Sequence, residues 1–359
     1  MRIGLSLLLA SVSAPLLLSA CNGDGGGGGT PPPANSAFAA VDSTARSAFE
    51  SEHLTGMGLA IYDRNGVKVF EQMYGNFSPD QRVPIASASK LVSGTVIFRL
   101  MDEGYLTLDS STGAVLGWPG AEGAITLRQL LSFTSGLPPE NRCTYESTVT
   151  LADCVATISQ VGLEATPGTQ FDYGSVHLAV AGRMAEVVTG QSWNDLFASH
   201  LRDPLGLPPD IVYYANPLKG TGTDNPLLAG GLQMSMNEYE HILHFVFDKG
   251  VWQGNALLAP AIFDTQTIDP YPDAAIGKSP GGSTRYGLTA WLQCATPQTG
   301  CSVISSPGAF GFTPWLDRAT GYYAILGMFD SNNSQDHFGG KLEEQLQPLI
   351  IQAMAQSGE

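Results

Sequence analysis

The chain is poor in charge, and poorer still in positive charge. Only 14% of its 359 residues are Asp, Glu, Lys or Arg, and 33 acidic residues outnumber 17 basic ones, for a formal net charge of −16. A surface this acidic repels nucleic acid and anionic lipid, which excludes both as electrostatic partners; it leaves the fold open. No Cys-x-x-Cys occurs among the five cysteines, so zinc and dithiol redox chemistry have no signature. His241 and His244 sit at i and i+3, but no third ligand has matching spacing, and they read as a helix face rather than a metal site. No cofactor motif is present. No Gly-x-Ser-x-Gly elbow occurs, which argues against an α/β-hydrolase. Asp336-His337 reads as a surface loop beside the last helix rather than part of a Ser-His-Asp triad. No internal repeat is visible.

The one continuous apolar run, Ile3 to Leu18, follows Arg2 and is too short to span a bilayer. It reads as an export signal over residues 1–20. Leu18-Ser19-Ala20-Cys21 resembles a bacterial lipobox, which implies lipid on the Cys21 thiol; an ordinary cleaved signal is the alternative. Residues 21–36 form a Gly/Pro-rich tether that cannot bury enough apolar surface to fold. Together these predict a cell-envelope lipoprotein of a Gram-negative bacterium, at the outer membrane or periplasm and membrane-bound through Cys21. Four cysteines remain in an oxidising compartment. They allow three pairings, and the short separations favour Cys143–Cys154 and Cys294–Cys301.

Hydrophobic periodicity predicts a helix over Ser36–His53, then strands over Gly58–Tyr62 and Lys68–Met73 around an Asn65-Gly66 turn. A helix follows from Ser87 to Gly104. Residues 116–275 alternate helical segments with Pro/Gly loops. Strands return over Gly287–Cys294, Ser302–Ser305, Phe310–Leu316 and Tyr322–Phe329, before a last helix over Gly340–Gln356. The predicted fold class is α/β (α+β), an antiparallel sheet drawn from both termini (37–115 with 276–359) and flanked by helices, with a mostly helical domain (116–275) inserted. Trp118, Trp252, Trp291 and Trp315 read as core.

Ser87-Ala88-Ser89-Lys90 carries the chemistry. A serine hydroxyl is a weak nucleophile until a base stands within hydrogen-bond reach. On a helix, residues three apart share a face, so Lys90 reaches Ser87 while Ser89 faces away. The helix N-terminus adds positive dipole beneath a developing oxyanion, and a desolvated lysine loses its proton near neutral pH.

Pro84 to Lys90, Leu106-Thr107-Leu108-Asp109, Ile125 to Leu137, Pro167 to Tyr173, Ala229 to Ser235 and Tyr286-Gly287-Leu288 occur in the order that resembles the serine β-lactamase and penicillin-binding protein superfamily. Class C β-lactamases and family VIII carboxylesterases are the nearest pattern. The resemblance implies a site between sheet and helices, with Tyr173 sharing proton transfer with Lys90 and an oxyanion hole from the backbone amides of Ser87 and Ala309. Substrate contacts are expected from Ser175, Ser306, Gly308 and Phe310, and from His177, which follows the tyrosine motif and either lines the pocket or packs in the core. A phenol beside an ammonium ionises more easily, which would fit Tyr173 for that role.

Two departures bear on specificity. Tyr-x-Asn becomes Tyr173-Gly174-Ser175, which loses an amide donor. The edge-strand Lys-Thr-Gly becomes Ser306-Pro307-Gly308, which loses the cation that meets a β-lactam carboxylate. A charged hydrogen bond contributes roughly 1.5–3 kcal/mol, so its absence favours neutral esters. Arg285 is the side chain placed to replace that cation. The expectation is a serine esterase acting on a small-molecule ester. A β-lactamase, D-Ala-D-Ala carboxypeptidase or D-aminopeptidase, and a non-catalytic envelope-binding lipoprotein, are the alternatives. Oligomeric state is left open.

Overall fold

Alternating side chains set the layers. In strand β1 (Gly56–Asp63), Met57, Leu59 and Ile61 point to one face, and Ala60 and Tyr62 to the other; every residue from Met57 onward is buried. Burial on both faces demands a cover on each side, and helices supply both. The computed structural model describes residues 37–280, 285–330 and 337–357, so the export segment, Cys21, the tether and Asp336 lie outside the described residues.

β1 pairs antiparallel with β2 (Lys68–Gly75) through a turn in which the Asp63 carboxylate accepts from the Asn65 and Val67 amides, and Gly66 takes φ +77°. On its other edge β1 meets β7 (Tyr322–Met328), with Tyr62 and Tyr323 stacked at 5.0 Å. The sheet continues through β6 (Thr313–Asp317), β5 (Val303–Ser305), β4 (Trp291–Leu292) and β3 (Arg285–Tyr286), in the order β2-β1-β7-β6-β5-β4-β3. Both ends of the chain thus build one antiparallel sheet, as the strand pattern predicts.

Helices α1 (Ala39–Ser51) and α5 (Phe338–Ser357) cover the outer face, packing Val41, Ala45, Leu342, Leu346 and Ile350 onto Leu59, Ile61 and Leu326. The inner face shares one larger core with α2 (Ser89–Asp102), α3 (Val176–Thr189) and α4 (Met236–Phe247). Disulfides join Cys143 to Cys154 and Cys294 to Cys301, the two local pairs expected.

Two strand expectations need correction. Gly287–Cys294 is not one strand: the Gly287 amide donates to the Ala290 carbonyl, Thr289 takes φ +61°, and the segment folds into the β3–β4 hairpin. Phe310–Leu316 pairs only from Thr313, because Gly308 to Phe312 close on themselves, the Gly308 amide donating to Phe312 O at 2.8 Å. Periodicity reports which side chains are buried, and a tight buried turn satisfies that pattern as well as a strand does.

Candidate active site

The segment before α2 is held from behind. Val83–Pro84 pairs with Gln233–Met234, and the Ile85 amide donates to Leu232 O. Ala86 then adopts φ +45°, a conformation an alanine takes only when its surroundings impose it. The kink leads into a 3₁₀ turn, Ala86–Ala88, so the regular helix starts at Ser89, two residues later than predicted. Ser87 is left partly exposed at the turn, while Ser89 is buried and accepts from the Leu232 amide at 3.3 Å.

Lys90 Nζ lies 3.0 Å from Ser87 Oγ and 2.8 Å from Ala229 O, with only 4% of the residue exposed. Burial lowers its pKa to about 7, and the Glu140 carboxylate opposes that shift. The ammonium also sits 4.5 Å above the Tyr173 ring.

Tyr173 is fixed by its amide, which donates to Lys278 O, and by stacking on Trp291 at 5.0 Å. Trp291 is therefore both core and site wall. Burial pushes the Tyr173 phenol well above its usual range, with the neighbouring Ser87 hydroxyl pulling the other way. That reverses the expectation of an easily ionised phenol. Lys90 is itself desolvated, and Glu140 disfavours a second negative charge.

Gly174 is there for space: a Cβ would collide with the Pro139 carbonyl, to which the Val176 amide donates. This close approach lays Glu140 beside Ser175, whose hydroxyl donates to Glu140 Oε2 at 2.6 Å and lies 3.0 Å from Thr144 Oγ1. His177 takes the core-packing alternative and not the substrate contact. It is fully buried, with Nε2 2.7 Å from Asp172 O, Nδ1 2.8 Å from Ser135 Oγ, and its ring stacked on Phe133. Two residues along from Ser175, on about the opposite side of α3, it faces the core. Burial lowers its pKa to about 4, so it is neutral at neutral pH.

The segment after β5 comes in from the opposite side; β5 lies between β4 and β6, so this is an inner strand and not the edge strand that the sequence suggested. Ser306, also expected at the substrate, instead donates its hydroxyl to Ser87 O at 3.1 Å and is 4% exposed; it clamps the nucleophile turn. A Cβ on Gly308 would strike Ile85 O, so only glycine lets this segment approach that turn.

Ser87, Tyr173 and Ala309 line both of two adjoining lobes. The first, about 390 Å³, adds Lys90, Glu140, Tyr145, Ser175 and Phe310. The second, about 570 Å³, adds Trp291, Gln293, Gly308, His337, Lys341 and Glu343. Arg285 lines neither. It borders a separate cavity beside Cys294 and Gln347, donates to Ala274 O and lies 3.7 Å from Asp269, so it does not replace the missing cation. His241 and His244 flank Trp252 instead of a ligand site.

Glu140, Tyr145 and Lys341 escaped the sequence reading. Gly174 was the signal available for Glu140, since a glycine inside the tyrosine motif marks a close backbone neighbour.

A family model described as Beta-lactamase matches residues 41–330. The chain belongs to the Beta-lactamase family. Within it, a candidate β-lactamase of Bacteroides dorei superposes with a TM-score of 0.76 at 28% identity, covering 88% of this chain and 98% of that one. EstCE1, a hydrolase with promiscuous acyltransferase activity, superposes at 0.71 with 18% identity, covering 89% and 99%; that likeness is one of fold. Penicillin-binding protein 4 of Amycolatopsis lactamdurans is 36% identical over 127 residues, 34% of this chain and 33% of that protein. The chain thus spans about a third of the length of the curated relatives it matches.

Proposed function

We propose that this family member hydrolyses carboxylic esters through an acyl-enzyme on Ser87. The observation carrying this reading is a buried amine 3.0 Å from the Ser87 hydroxyl, with no cation at Ser306-Pro307-Gly308 on the facing segment.

Neutral Lys90 takes the Ser87 proton as Oγ adds to the ester carbonyl. The oxyanion forms between the amides of Ser87 and Ala309, two residues that line both lobes. As the tetrahedral adduct collapses and the carbon–oxygen bond to the alcohol breaks, the proton passes from Lys90 through the protonated Tyr173 phenol to the leaving oxygen. Water then adds to the acyl carbon and gives up a proton by the same path, which returns to Ser87 Oγ as the acid leaves. Tyr173 works here as a neutral relay, in keeping with its raised pKa.

One observation favours a second reading. Lys341, in the second lobe, could meet a carboxylate beside the scissile bond, as a β-lactamase or D-Ala-D-Ala carboxypeptidase requires. We further propose that the protein is exported and anchored through lipid on Cys21, which the lipobox-like Leu18-Ser19-Ala20-Cys21 and two disulfides support. A fluorophosphonate probe tests the enzyme reading: its adduct should map to Ser87, and an adduct on Ser89 or Ser135 would refute it. Absence of any adduct or ester turnover would leave the non-catalytic binding lipoprotein.

A further inference from the structure

Glu140 is a negative charge placed in a lobe that already contains the reacting serine. Its Oε2 accepts from Tyr145 Oη at 2.7 Å and from Ser175 Oγ at 2.6 Å. Two neutral hydroxyls orient the carboxylate without cancelling its charge. Among the described residues lining this lobe the one basic side chain is Lys90, and its place beneath the Ser87 hydroxyl commits it to the nucleophile. The lobe therefore has a net acceptor at its wall and no cation to balance it.

The surrounding surface suits a cation. Tyr145 is 49% exposed, and Phe310 lines the same lobe, so the lobe that holds the carboxylate also carries two aromatic rings. Carboxylate plus aromatic faces is the combination that holds an ammonium group, primary or quaternary, because both present negative potential. The cradle is also built to keep its shape. Tyr145 ends the 3₁₀ turn Arg142–Tyr145, which the Cys143–Cys154 bridge ties to helix Leu151–Ile158, and Asn225 Nδ2 donates to Cys143 O and Glu146 O at 2.8 Å each. Pro139, pressed against Gly174, fixes Glu140 from the other side.

We infer that Glu140, with Tyr145 and Phe310, selects substrates that carry a positively charged ammonium group on the arm occupying the first lobe. The inference rests on Ser87 being the acylated residue and names the substrate class that the site takes. An anionic arm placed there would meet Glu140 with like charge, so the same residue disfavours substrates acidic on that side.

The test uses the full chain and charge-matched pairs. One pair is a nitrophenyl trimethylammonio-butanoate and its tert-butyl isostere, with the cation on the acyl arm. The other is a choline ester and its tert-butyl isostere, with the cation on the alcohol arm; an ω-aminoacyl ester separates primary from quaternary ammonium. Wild type should favour the cationic member of at least one pair on the order of tenfold in kcat/KM. Glu140→Gln should bring that ratio to about one. A ratio near one in wild type for every pair would overturn the inference. So would a preference that survives Glu140→Gln, since it would belong to the overall acidic field. Should no ester turn over, the esterase reading fails by itself. Calorimetry of butyltrimethylammonium then decides the cation site: wild type should bind and Glu140→Gln should not, and equal binding refutes it.

Discussion

Glu140 and Lys90 pull one proton affinity in opposite directions: burial brings the Lys90 ammonium to about 7, and the carboxylate lining the same lobe pulls it back up. The proposed mechanism requires a neutral Lys90. The rate of Ser87 acylation should therefore rise with pH through about 7 and level off above it. Glu140→Gln removes the opposing charge, so the rising limb should move to lower pH. A limb that moves to higher pH, or does not move, would show that Glu140 does not act on Lys90.

Lys90→Ala and Tyr173→Phe should each lower turnover on the order of a hundredfold or more. The double variant should lose less than the product of the two, because both act on one proton path. Near wild-type turnover in Tyr173→Phe would assign the whole path to Lys90.

Lys341 decides between the two enzyme readings. If the missing cation at Ser306-Pro307-Gly308 sets specificity, neutral ester turnover should exceed nitrocefin turnover by orders of magnitude in kcat/KM. Any residual nitrocefin hydrolysis should fall in Lys341→Ala and persist in Arg285→Ala, because Arg285 lies outside both lobes. Efficient nitrocefin turnover that collapses in Lys341→Ala would favour the lactamase reading.

Glu343 offers a stability test at the far wall of the second lobe. It is fully buried; Oε1 accepts from Gln293 and Gln347, and Oε2 has no partner among the described residues. Burial raises its pKa from 4.5 to about 8. The folded state thus holds a proton that the unfolded chain releases, and its stabilising contribution is complete below about 4.5 and lost as pH rises through about 8. Thermal unfolding followed across that range should show the loss, and Glu343→Gln should flatten it while raising stability at pH 8 on the order of 1 kcal/mol or more. An unchanged pH dependence in Glu343→Gln would place the titrating group elsewhere.

The sequence by itself pointed to the two-ended antiparallel sheet, the helix after Ser87 and the Ser87–Lys90 pair, and it favoured the local disulfides without excluding the other pairings. Each follows from local rules: period-2 and period-3.6 burial, short loops between cysteines, and the shared face of residues three apart. Tyr173 needed the family resemblance, because 83 residues of chain separate it from Lys90 and no local rule spans such a loop. Only the tertiary structure decided how side chains near the motifs are spent. Ser306 and His177 fall at the right places in the sequence yet face inward, to Ser87 O and Asp172 O. Glu140 and Lys341 lie in unremarkable stretches yet reach the cleft. Orientation at a site depends on what packs against each backbone segment, such as Pro139 against Gly174, and that information is distributed over residues far apart in the chain. The same is true of charge: desolvation by the whole fold, with Glu140 as its opponent, sets the proton affinity of Lys90, and neither is written in Ser-x-x-Lys.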